Sequence, residues 1–464
     1  MVKELKKISN GVEKIVNLCK NRGFINLSSE PYGGFSSCYD YGPLGVELKN
    51  NIKTAWWEEM TKRHDNIVGL DAAILMSPKV WEASGHLSAG FADELVECKK
   101  CHKRFRFNEL KPKTYNLKPI ICPECGGEFT QPKKFNLMMK TFIGPVEDEA
   151  AVTYLRAETC QGIYMNFNWA RNSMRLKIPF GIAQIGKAFR NEITPKSFIY
   201  RTREFEQMEM QFFVHPKEAD KWFDYWKEER MRWYLNLGIK KENLRFHEHT
   251  KKELAHYAKK GIDIEYKFSL GSPGGEAGWQ EIEGIHNRGD WDLSNHSRYS
   301  GKDLSYFDPS TGSGQAKEKY IPYIIETSAG ADRSLLAFLI DAYSEVKGGR
   351  TETTESTKEI EIVLKLDKRL APVKIAVLPL VKNKKDLIKK SEEVYNLLRT
   401  EFVVQYDEVG SIGRRYRRQD EIGTPYCVTI DFQTLEDNSV TVRDRDTMKQ
   451  ERVAINKLSD SLIF

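Results

Sequence analysis

The chain of 464 residues is too long for one ordinary domain and long enough for two or three. Its 72 Lys and Arg against 66 Asp and Glu leave a net charge of +6, which is compatible with a nucleic-acid partner but too small to require one. No uncharged apolar run approaches the roughly 18 residues of a membrane span, and the first residues lack the apolar segment of a signal peptide. We therefore expect a cytoplasmic protein without membrane contact.

The first regular elements are two helices and an extended segment. Residues 10–23 have a short helical pattern that ends at Gly23. A long amphipathic helix follows from Pro43, a residue suited to the first helical position, and apolar residues recur along it every four positions: Leu44, Leu48, Ile52 and Trp56. An apolar extended segment then runs to Pro78.

A cysteine-bearing insertion occupies residues 98–125. Four of the eight cysteines form two C-x-x-C pairs separated by twenty residues, namely Cys98, Cys101, Cys122 and Cys125. This spacing is that of a zinc ribbon, in which four thiolates surround a tetrahedral ion. Because four Cys ligands leave no open position, we expect structural Zn²⁺; the alternative is a metal-free β-hairpin. The other four cysteines are scattered singly, which is not typical of a disulfide framework.

Residues 182–214 are predicted to form an antiparallel hairpin with a polar front and an apolar back. Side chains alternate between the faces of a strand, so Arg190 and Glu192 share the front of the first strand. Phe205 and Glu209 share the front of the second strand by the same rule. The combined front is either an ordinary solvated sheet face or, given an aromatic ring among charges, a surface for a planar phosphorylated ligand.

The rest of the chain divides into a helical stretch, a strand–helix unit, a linker and a second domain. Residues 217–260 are rich in lysine and aromatic residues and are predicted to be helical. Residues 320–344 are predicted to form a strand that turns sharply into a helix. We place a linker or an exposed connection at 346–370, whose first part lacks apolar periodicity and is rich in Thr, Gly and charge. From 371 to 464 strands alternate with helices, the pattern of a small α/β domain.

Several of these segments carry a family resemblance. The hairpin at 182–214 resembles motif 2 of the class II aminoacyl-tRNA synthetases, residues 43–78 resemble motif 1, and residues 320–344 resemble motif 3. Within that class the chain is most similar to the dimeric glycyl-tRNA synthetases. Six segments resemble them, in the same order along the chain: YGPLGVELKNNIK, LRAETCQG, FRNE, YRTREFEQMEM, SAGADR and RRYRRQDEIGTP.

The resemblance implies an α+β fold with three parts. Residues 1–97 and 126–345 would form the catalytic domain, an antiparallel sheet flanked by helices, with the zinc-ribbon-like insertion at 98–125 and an α/β anticodon-binding domain at 371–464. It also implies a homodimer, because motif 1 forms the subunit interface in the family. The implied reaction joins glycine to AMP from ATP, with Mg²⁺, and then transfers glycine to the 3′ end of tRNA(Gly).

The resemblance assigns an ATP site. Arg190 would hold the α-phosphate, Glu192 would accept from the adenine amino group, Phe205 would stack on the ring, and Arg333 would take the γ-phosphate. Glu281 would carry Mg²⁺ and would count with Arg190 and Arg333 as catalytic; the alternative is a surface glutamate in a strand. The full ATP-binding set is Arg190, Asn191, Glu192, Tyr200, Arg201, Phe205, Glu281, Ile282, Gly330, Ala331, Asp332 and Arg333.

A glycine site and a tRNA contact are implied as well. Glycine has no side chain to hold, so its pocket must exclude larger amino acids and bind the ammonium strongly. The residues that match the family's glycine contacts are Glu158, Glu209, Arg288 and Ser328, whereas Glu206 lies on the apolar back and is assigned a structural role. The tRNA contacts are assigned to the run at 414–418, which in isolation reads as a solvated helix face: Arg414, Arg415, Arg417 and Arg418.

Some positions depart from the family pattern. The family usually has Pro where Ala157 and Thr327 stand, Ala where Cys160 and His286 stand, and Thr where Gly289 stands. None of these departures removes a charge that the chemistry requires. The alternatives are a class II ligase for serine, proline or threonine, and a non-catalytic nucleic-acid-binding relative, which would have no need for a complete set of ATP contacts.

Overall fold

The first domain is built on a seven-stranded sheet. The computed structural model describes residues 13–88, 91–110, 120–192, 198–268, 278–307, 319–347 and 360–464. Six strands of the sheet are antiparallel, and a short edge strand is parallel to its neighbour. The spatial order is Leu244–Glu248, Lys260–Lys267, Trp279–Gly289, Tyr323–Gly330, Glu204–Val214, Phe180–Phe189 and Ile67–Gly69. The fold class implied by the resemblance is therefore confirmed for this domain.

Strands Phe180–Phe189 and Glu204–Val214 form the central hairpin of this sheet, as their alternation predicts. Met208, Met210 and Phe212 of the second strand point into the main hydrophobic core. The side chains between them form the polar front. The hairpin therefore separates a packed core from a polar surface within one strand pair.

A helix at Pro43–Thr61 covers the back of the sheet. Proline occupies the first helical position, and the core-facing residues at four-residue intervals have no exposed surface: Leu48, Ile52, Trp56 and Met60. Gly45 lets the helix approach the backbone just before strand Ile25–Leu27, because a Cβ there would lie 1.8 Å from the carbonyl oxygen of Phe24. Residues 13–22 form a shorter helix before it.

A second core helix, Ala331–Ala342, begins directly after strand Tyr323–Gly330. It is apolar on nearly every side and packs between helix Pro43–Thr61 and the sheet. Arg333 in its first turn is the exception, since its side chain reaches the front of the sheet. The remaining helices of the domain are Pro78–Ala83, Cys160–Met165, Phe167–Met174, Ala219–Asn236 and Trp291–Ser300.

The helical prediction for 217–260 is wrong in its second half. Ala219–Asn236 is a helix, but Leu244–Glu248 is a strand and a further strand begins at Lys260. In this further strand Ile262, Ile264 and Tyr266 are buried at every second position, a periodicity that composition alone does not reveal. Short strands outside the sheet are Ile25–Leu27, Tyr39–Tyr41, Met139–Phe142, Val152–Leu155, Tyr306–Phe307 and Lys319–Tyr320.

The cysteine module is a three-stranded sheet of Ala92–Glu97, Arg104–Arg106 and Lys133–Asn136, with a one-turn helix at Phe107–Leu110. It is larger than the predicted insertion, because two of its strands lie outside 98–125 and pair with each other. Residues 111–119 of the prediction lie outside the described residues. The module has its own small core around Val96, Cys98, Phe105 and Cys122.

The second domain has a separate core and a five-stranded mixed sheet. Its strands, in spatial order, are Val404–Tyr406, Ile375–Pro379, Tyr426–Ile430, Ser439–Asp444 and Gln450–Ala454. Its helices are Lys385–Leu398, Ile412–Ile422, Phe432–Asp437 and Leu458–Ser461. No helix in the described part of either domain is both long and apolar enough to cross a bilayer.

Strands lie within both parts of the predicted linker that the structure describes. Residues 348–359 lie outside the described residues. On either side of them, strands Tyr343–Lys347 and Ile360–Leu364 pair antiparallel, so residues 346–347 and 360–364 of the predicted interval 346–370 belong to strands. The run at 360–364 is too short for its alternation to stand out from the Thr-rich segment that precedes it.

Candidate active site

One pocket lies on the front of the sheet, over the central hairpin and the strands Trp279–Gly289 and Tyr323–Gly330. Of the residues assigned to ATP or glycine, all line it except Asn191, Ile282 and Ala331. The ones that line it are Glu158, Arg190, Glu192, Tyr200, Arg201, Phe205, Glu209, Glu281, Arg288, Ser328, Gly330, Asp332 and Arg333. The fold therefore brings most of the residues assigned to ATP and glycine to one cavity.

Arg190 and Phe205 form one side of the pocket. The Arg190 guanidinium lies 5.3 Å from the centre of the Phe205 ring and 5.5 Å from that of Phe91. Its Nε donates to the carbonyl of Ala157 at 3.1 Å, which fixes the side chain between the rings. A flat aromatic group and a cation thus lie side by side, an arrangement suited to a base with its phosphate.

Glu192, beside them, is bound by the cysteine module. Arg106 Nη2 lies 2.7 Å from Glu192 Oε2 and 2.6 Å from Asp93 Oδ2. The Arg203 side chain also donates to the backbone carbonyl of Glu192. Arg106 was not predicted as a site residue, because only the fold brings it next to the hairpin.

Arg333 lies opposite, in the first turn of its helix. Its Nη1 is 3.1 Å from Glu281 Oε2, its Nε donates to the carbonyl of Tyr200 at 3.2 Å, and it lies over the Tyr200 ring. Desolvation acts against the charge on Glu281, but Arg333 and His286 lower its pKa overall. Arg190 and Arg333 together make this end of the pocket cationic.

The other end of the pocket is anionic. Glu209 Oε1 accepts hydrogen bonds from Ser328 Oγ at 2.9 Å and Gln207 Nε2 at 2.8 Å. Among the described residues, the buried Oε2 of Glu209 has no hydrogen-bond partner. The half-buried Glu158 and the buried Glu326 complete a group of three carboxylates. Glu326 was not predicted, although it belongs to the same ETSAG segment as Ser328.

Arg288 balances part of this charge. It forms buried ion pairs with Asp292 at 2.7 Å and Glu326 at 3.0 Å, and its guanidinium stacks 3.7 Å from the centre of the Tyr257 ring. The carboxylates still outnumber the arginine, so the subsite attracts a small cation.

The carboxyl groups of the anionic subsite differ in pKa, with one raised and two lowered. Burial, with the charges of Glu326 and Glu158, raises the pKa of Glu209 to about 8. Burial also opposes the charge on Glu326, but Arg288 and His286 lower its pKa to about 2. For Glu158, desolvation is outweighed by His86 and Arg288, and its pKa falls well below the usual value. The subsite thus has one carboxyl that titrates near neutral pH.

Comparison with known proteins gives consistent results. The chain is 55% identical to glycine–tRNA ligase of Treponema denticola, over 96% of this chain and 95% of the relative. It is 52% identical to the glycine–tRNA ligase of Thermobifida fusca, over 98% of both chains. The chain belongs to the glycine–tRNA ligase family. It is therefore an aminoacyl-tRNA synthetase that ligates glycine to tRNA, and the resemblance drawn from the sequence is confirmed.

Two further comparisons bear on the fold of this family member. The family model described as anticodon binding domain matches residues 374–463, which confirms a C-terminal domain of that type. A crystal structure of prolyl-tRNA synthetase from Cryptosporidium parvum has a TM-score of 0.62 at 16% identity, over 97% of this chain and 76% of that one. At that identity the likeness shows a shared fold.

Four predicted ATP residues do not present a side chain to the pocket in the way expected. Ile282 and Ala331 are fully buried, and Asn191 lies beside the pocket. The Asp332 carboxylate accepts from Lys49 Nζ at 2.8 Å and from the backbone N–H of Glu206 at 2.8 Å. This network binds helix Pro43–Thr61 to the hairpin, so the carboxylate of Asp332 is engaged there although the residue also lines the pocket.

The four cysteine thiols of the module are clustered. Their sulfur atoms all lie within 4.8 Å of one another, with Cys98 Sγ 3.4 Å from Cys125 Sγ and Cys101 Sγ 3.7 Å from Cys122 Sγ. All four are free thiols. Tetrahedral Zn–S bonds of about 2.3 Å place sulfurs about 3.8 Å apart, so the donor set fits a closed zinc site.

The predicted tRNA-contacting run lies on helix Ile412–Ile422. Arg414 is exposed, and Arg417 and Arg418 are half-buried. Arg415 contradicts the prediction: it is 2% exposed and donates to backbone carbonyls, including those of Leu380 and Gly410. These hydrogen bonds hold the helix against the sheet. The Arg415 side chain points inward because its position lies on the buried face of the helix.

Proposed function

We propose that the pocket binds ATP at its cationic end and glycine at its anionic end, and joins them to glycyl-adenylate. The observation that carries this proposal is the division of one cavity into two halves of opposite charge, with Arg190 and Arg333 at one end and Glu158, Glu209 and Glu326 at the other. The triphosphate and the ammonium have the matching charges. The two ends meet at Arg190, where the reacting groups would come together.

The ATP end is assigned residue by residue. Phe205 stacks on adenine, Glu192 accepts from its amino group, and Arg190 holds the α-phosphate. Arg333 takes the γ-phosphate, and its position in the first turn of a helix adds the favourable dipole. Of the further predicted ATP residues, Tyr200, Arg201 and Gly330 line the same end and support the site by shape and charge.

The first chemical step needs no nucleophile from the protein. A carboxylate oxygen of glycine attacks the α-phosphorus of ATP, the bond to the bridging oxygen breaks, and pyrophosphate leaves with its electron pair. Arg190 stabilises the charge that develops on the α-phosphate, and Arg333 stabilises the leaving group. Mg²⁺ held by Glu281 would neutralise the phosphates further; the half-exposed carboxylate fits that role because a single carboxylate typically suffices.

The second step transfers glycine. A terminal ribose hydroxyl of tRNA attacks the glycyl carbonyl, and AMP leaves with the shared oxygen. The ammonium stays on Glu158 and Glu209 throughout, which keeps the carbonyl in a fixed place. Ser328, held by Glu209, and Arg288, packed on Tyr257, close the subsite, so a larger amino acid would meet filled space.

The remaining assignments concern metal, assembly and tRNA. Zn²⁺ in the cysteine module is structural, as supported by the sulfur cluster. Helix Pro43–Thr61 belongs to a homodimer interface, as motif 1 does in the family. In the second domain Arg414, Arg417 and Arg418 contact tRNA phosphates, so Arg414→Ala should weaken tRNA binding, and unchanged affinity would remove it from the interface. The cytoplasmic location predicted from the sequence suits an enzyme that supplies translation.

The test is ATP–pyrophosphate exchange with glycine, alanine, serine, threonine and proline in separate reactions. Exchange with glycine alone is the expected result. Glu209→Gln should raise the KM for glycine with little effect on that for ATP, whereas Phe205→Ala should do the reverse. If both variants altered the two constants equally, the division of the pocket into two ends would be wrong.

A further inference from the structure

Three side chains next to the pocket form a cluster that the ligase reaction does not use. His249, Asp263 and His286 each offer a ligating atom, and these atoms all lie within 4.8 Å of one another. His249 Nε2 is 2.9 Å from Asp263 Oδ2. The cluster contains no cysteine, so its donor chemistry differs from that of the cysteine module.

Sheet register brings the three residues together. His286 pairs with Gly261 across neighbouring strands, and Asp263 pairs with Gly284 on the same two strands. The backbone N–H of His249 donates to the carbonyl of Gly261 at 3.0 Å, so His249 flanks the same glycine from the other side. All three side chains are half-buried, which is the setting of a site that a small ion can reach.

Two glycines make room for the imidazole of His286. A Cβ at Gly284 would lie 2.9 Å from its Cε1, and a Cβ at Gly261 would lie 2.9 Å from its Cδ2. These ring atoms flank Nε2, so Nε2 points over the paired strands towards the cluster. A Cβ at Gly261 would also lie 2.8 Å from His249 Nδ1. Any side chain at either glycine would therefore fill the space between the rings.

The orientation of His286 is set from outside the cluster. Its Nδ1 lies 3.3 Å from Glu326 Oε2. This is an ion-pair distance, because His286 Nδ1 has no hydrogen-bond partner among the described residues. The contact turns Nδ1 towards the carboxylate of Glu326 and leaves Nε2 for a metal, as in metal-ligating histidines whose second nitrogen faces a carboxylate. His249 Nδ1 is buried and, in the described part of the chain, has no hydrogen-bond partner.

We propose that His249, Asp263 and His286 bind a divalent transition-metal ion such as Zn²⁺, Co²⁺ or Ni²⁺. Two imidazoles and one carboxylate favour these ions over Mg²⁺, which prefers oxygen ligands alone. Rotations of the side chains bring the donors to bonding distance, and water completes the coordination. Because His286 and Glu281 line the same pocket, an ion held by His286 adds positive charge there and influences ATP binding. The metal binding itself does not rest on the proposed function.

The experiment titrates Co²⁺ into full-length protein whose cysteine module is already filled with zinc, without ATP or glycine. Calorimetry counts the added ions, and visible absorption shows whether thiolates ligate them, because thiolate-to-cobalt charge transfer would report exchange into the cysteine module. The expected result is one added Co²⁺ per chain, without charge transfer. His249→Ala and His286→Ala should each weaken its binding at least about tenfold.

His247→Ala is the matched control, because this neighbouring imidazole lies 6.0 Å from that of His249, ring centre to ring centre, but is outside the cluster. It should leave the affinity unchanged. Asp263→Asn preserves shape and removes the anionic ligand, so it tests the site even if one alanine variant misfolds. The proposal is overturned if the wild type takes no added Co²⁺, if the ion enters the cysteine module, or if His286→Ala and Asp263→Asn bind it as the wild type does.

Discussion

Arg333 Nη1 lies 3.1 Å from Glu281 Oε2, so the two groups assigned to the triphosphate and to Mg²⁺ form an ion pair with each other. Both residues line the pocket, and each favours the charged form of the other: Arg333 lowers the pKa of Glu281, and Glu281 raises the pKa of Arg333. Under the proposed assignment, the guanidinium would exchange a carboxylate for a phosphate when ATP binds, and the carboxylate would exchange a guanidinium for Mg²⁺. Both charges would then be compensated before and after binding.

Replacing Arg333 should abolish glycine activation. Arg333→Gln removes the compensation for leaving pyrophosphate, and loss of one such electrostatic contact lowers kcat by about 100- to 1000-fold. The measurement is glycine-dependent ATP–pyrophosphate exchange, with tRNA affinity as the property expected to stay intact. Arg232→Gln, an exposed arginine on helix Ala219–Asn236, is the control. Exchange at the wild-type rate would mean that Arg333 has no role in the reaction.

Glycine binding should depend on pH through Glu209. Its pKa, raised to about 8 by burial and by Glu326 and Glu158, leaves the carboxyl mostly protonated at neutral pH. The glycine ammonium favours the ionised form, so binding releases a proton and the KM for glycine falls as pH rises, by up to about tenfold per unit below pH 8. Above that pH the KM levels off.

The matched variant for this pH dependence is Glu209→Gln, which cannot titrate. Its KM for glycine should be higher than that of the wild type and flat across the same range, while the KM for ATP serves as the internal reference. A wild-type KM for glycine that does not change between about pH 6 and pH 8 would contradict the assignment of Glu209 to the ammonium.

The buried contact between Lys49 and Asp332 should stabilise the domain strongly. Lys49→Met leaves the Asp332 carboxylate without its cation, and breaking a buried ion pair in this way costs about 3–5 kcal/mol. Lys53→Met is the comparison, since Lys53 reaches only Glu206 near the surface and should cost less than about 1 kcal/mol. The measurement is calorimetric melting of both variants. Equal melting temperatures would show that the buried ion pair contributes no more stability than the pair near the surface.

The cysteine module should influence ATP binding through Arg106. Arg106→Ala removes the contact that holds the Glu192 carboxylate, and loss of a charge-assisted hydrogen bond, about 1.5 kcal/mol, corresponds to about a tenfold higher KM for ATP. Zinc content should stay at the wild-type level in this variant. Cys98→Ala should lower zinc content and raise the KM for ATP together, because the strand that carries Arg106 is then no longer held.

Arg104→Ala is the control for that series, since Arg104 pairs with Glu97 on the exposed side of the same strand. Its KM for ATP and its zinc content should both match those of the wild type. A zinc-free wild-type protein of full stability would refute the structural metal site. An unchanged KM for ATP in Arg106→Ala would show that the cysteine module does not influence ATP binding through Arg106.

The sequence predicted the parts of the site that depend on local periodicity. Alternation along the hairpin placed Arg190, Phe205 and Glu209 on one face, and motif spacing located Arg333 at its helix start. Glu326 was missed although the same alternation places it on the face of Ser328, two residues further along the strand. Arg106 was missed because its role comes from the docking of the cysteine module, which no local pattern encodes. The resemblance to an anticodon-binding domain assigned Arg415 to tRNA, but the helix turns its side chain inward to backbone carbonyls. The resemblance of a segment carries no information on the direction of a single side chain.

Asn51, on the long helix Pro43–Thr61, donates hydrogen bonds to the carbonyls of Leu370 and Ala371, immediately before the first strand of the C-terminal domain. The same helix packs under the helix that carries Arg333. One helix thus contacts both the helix that carries Arg333 and the segment that leads into the anticodon-binding domain. A tRNA bound to both domains would have to span the separation between the pocket and that domain.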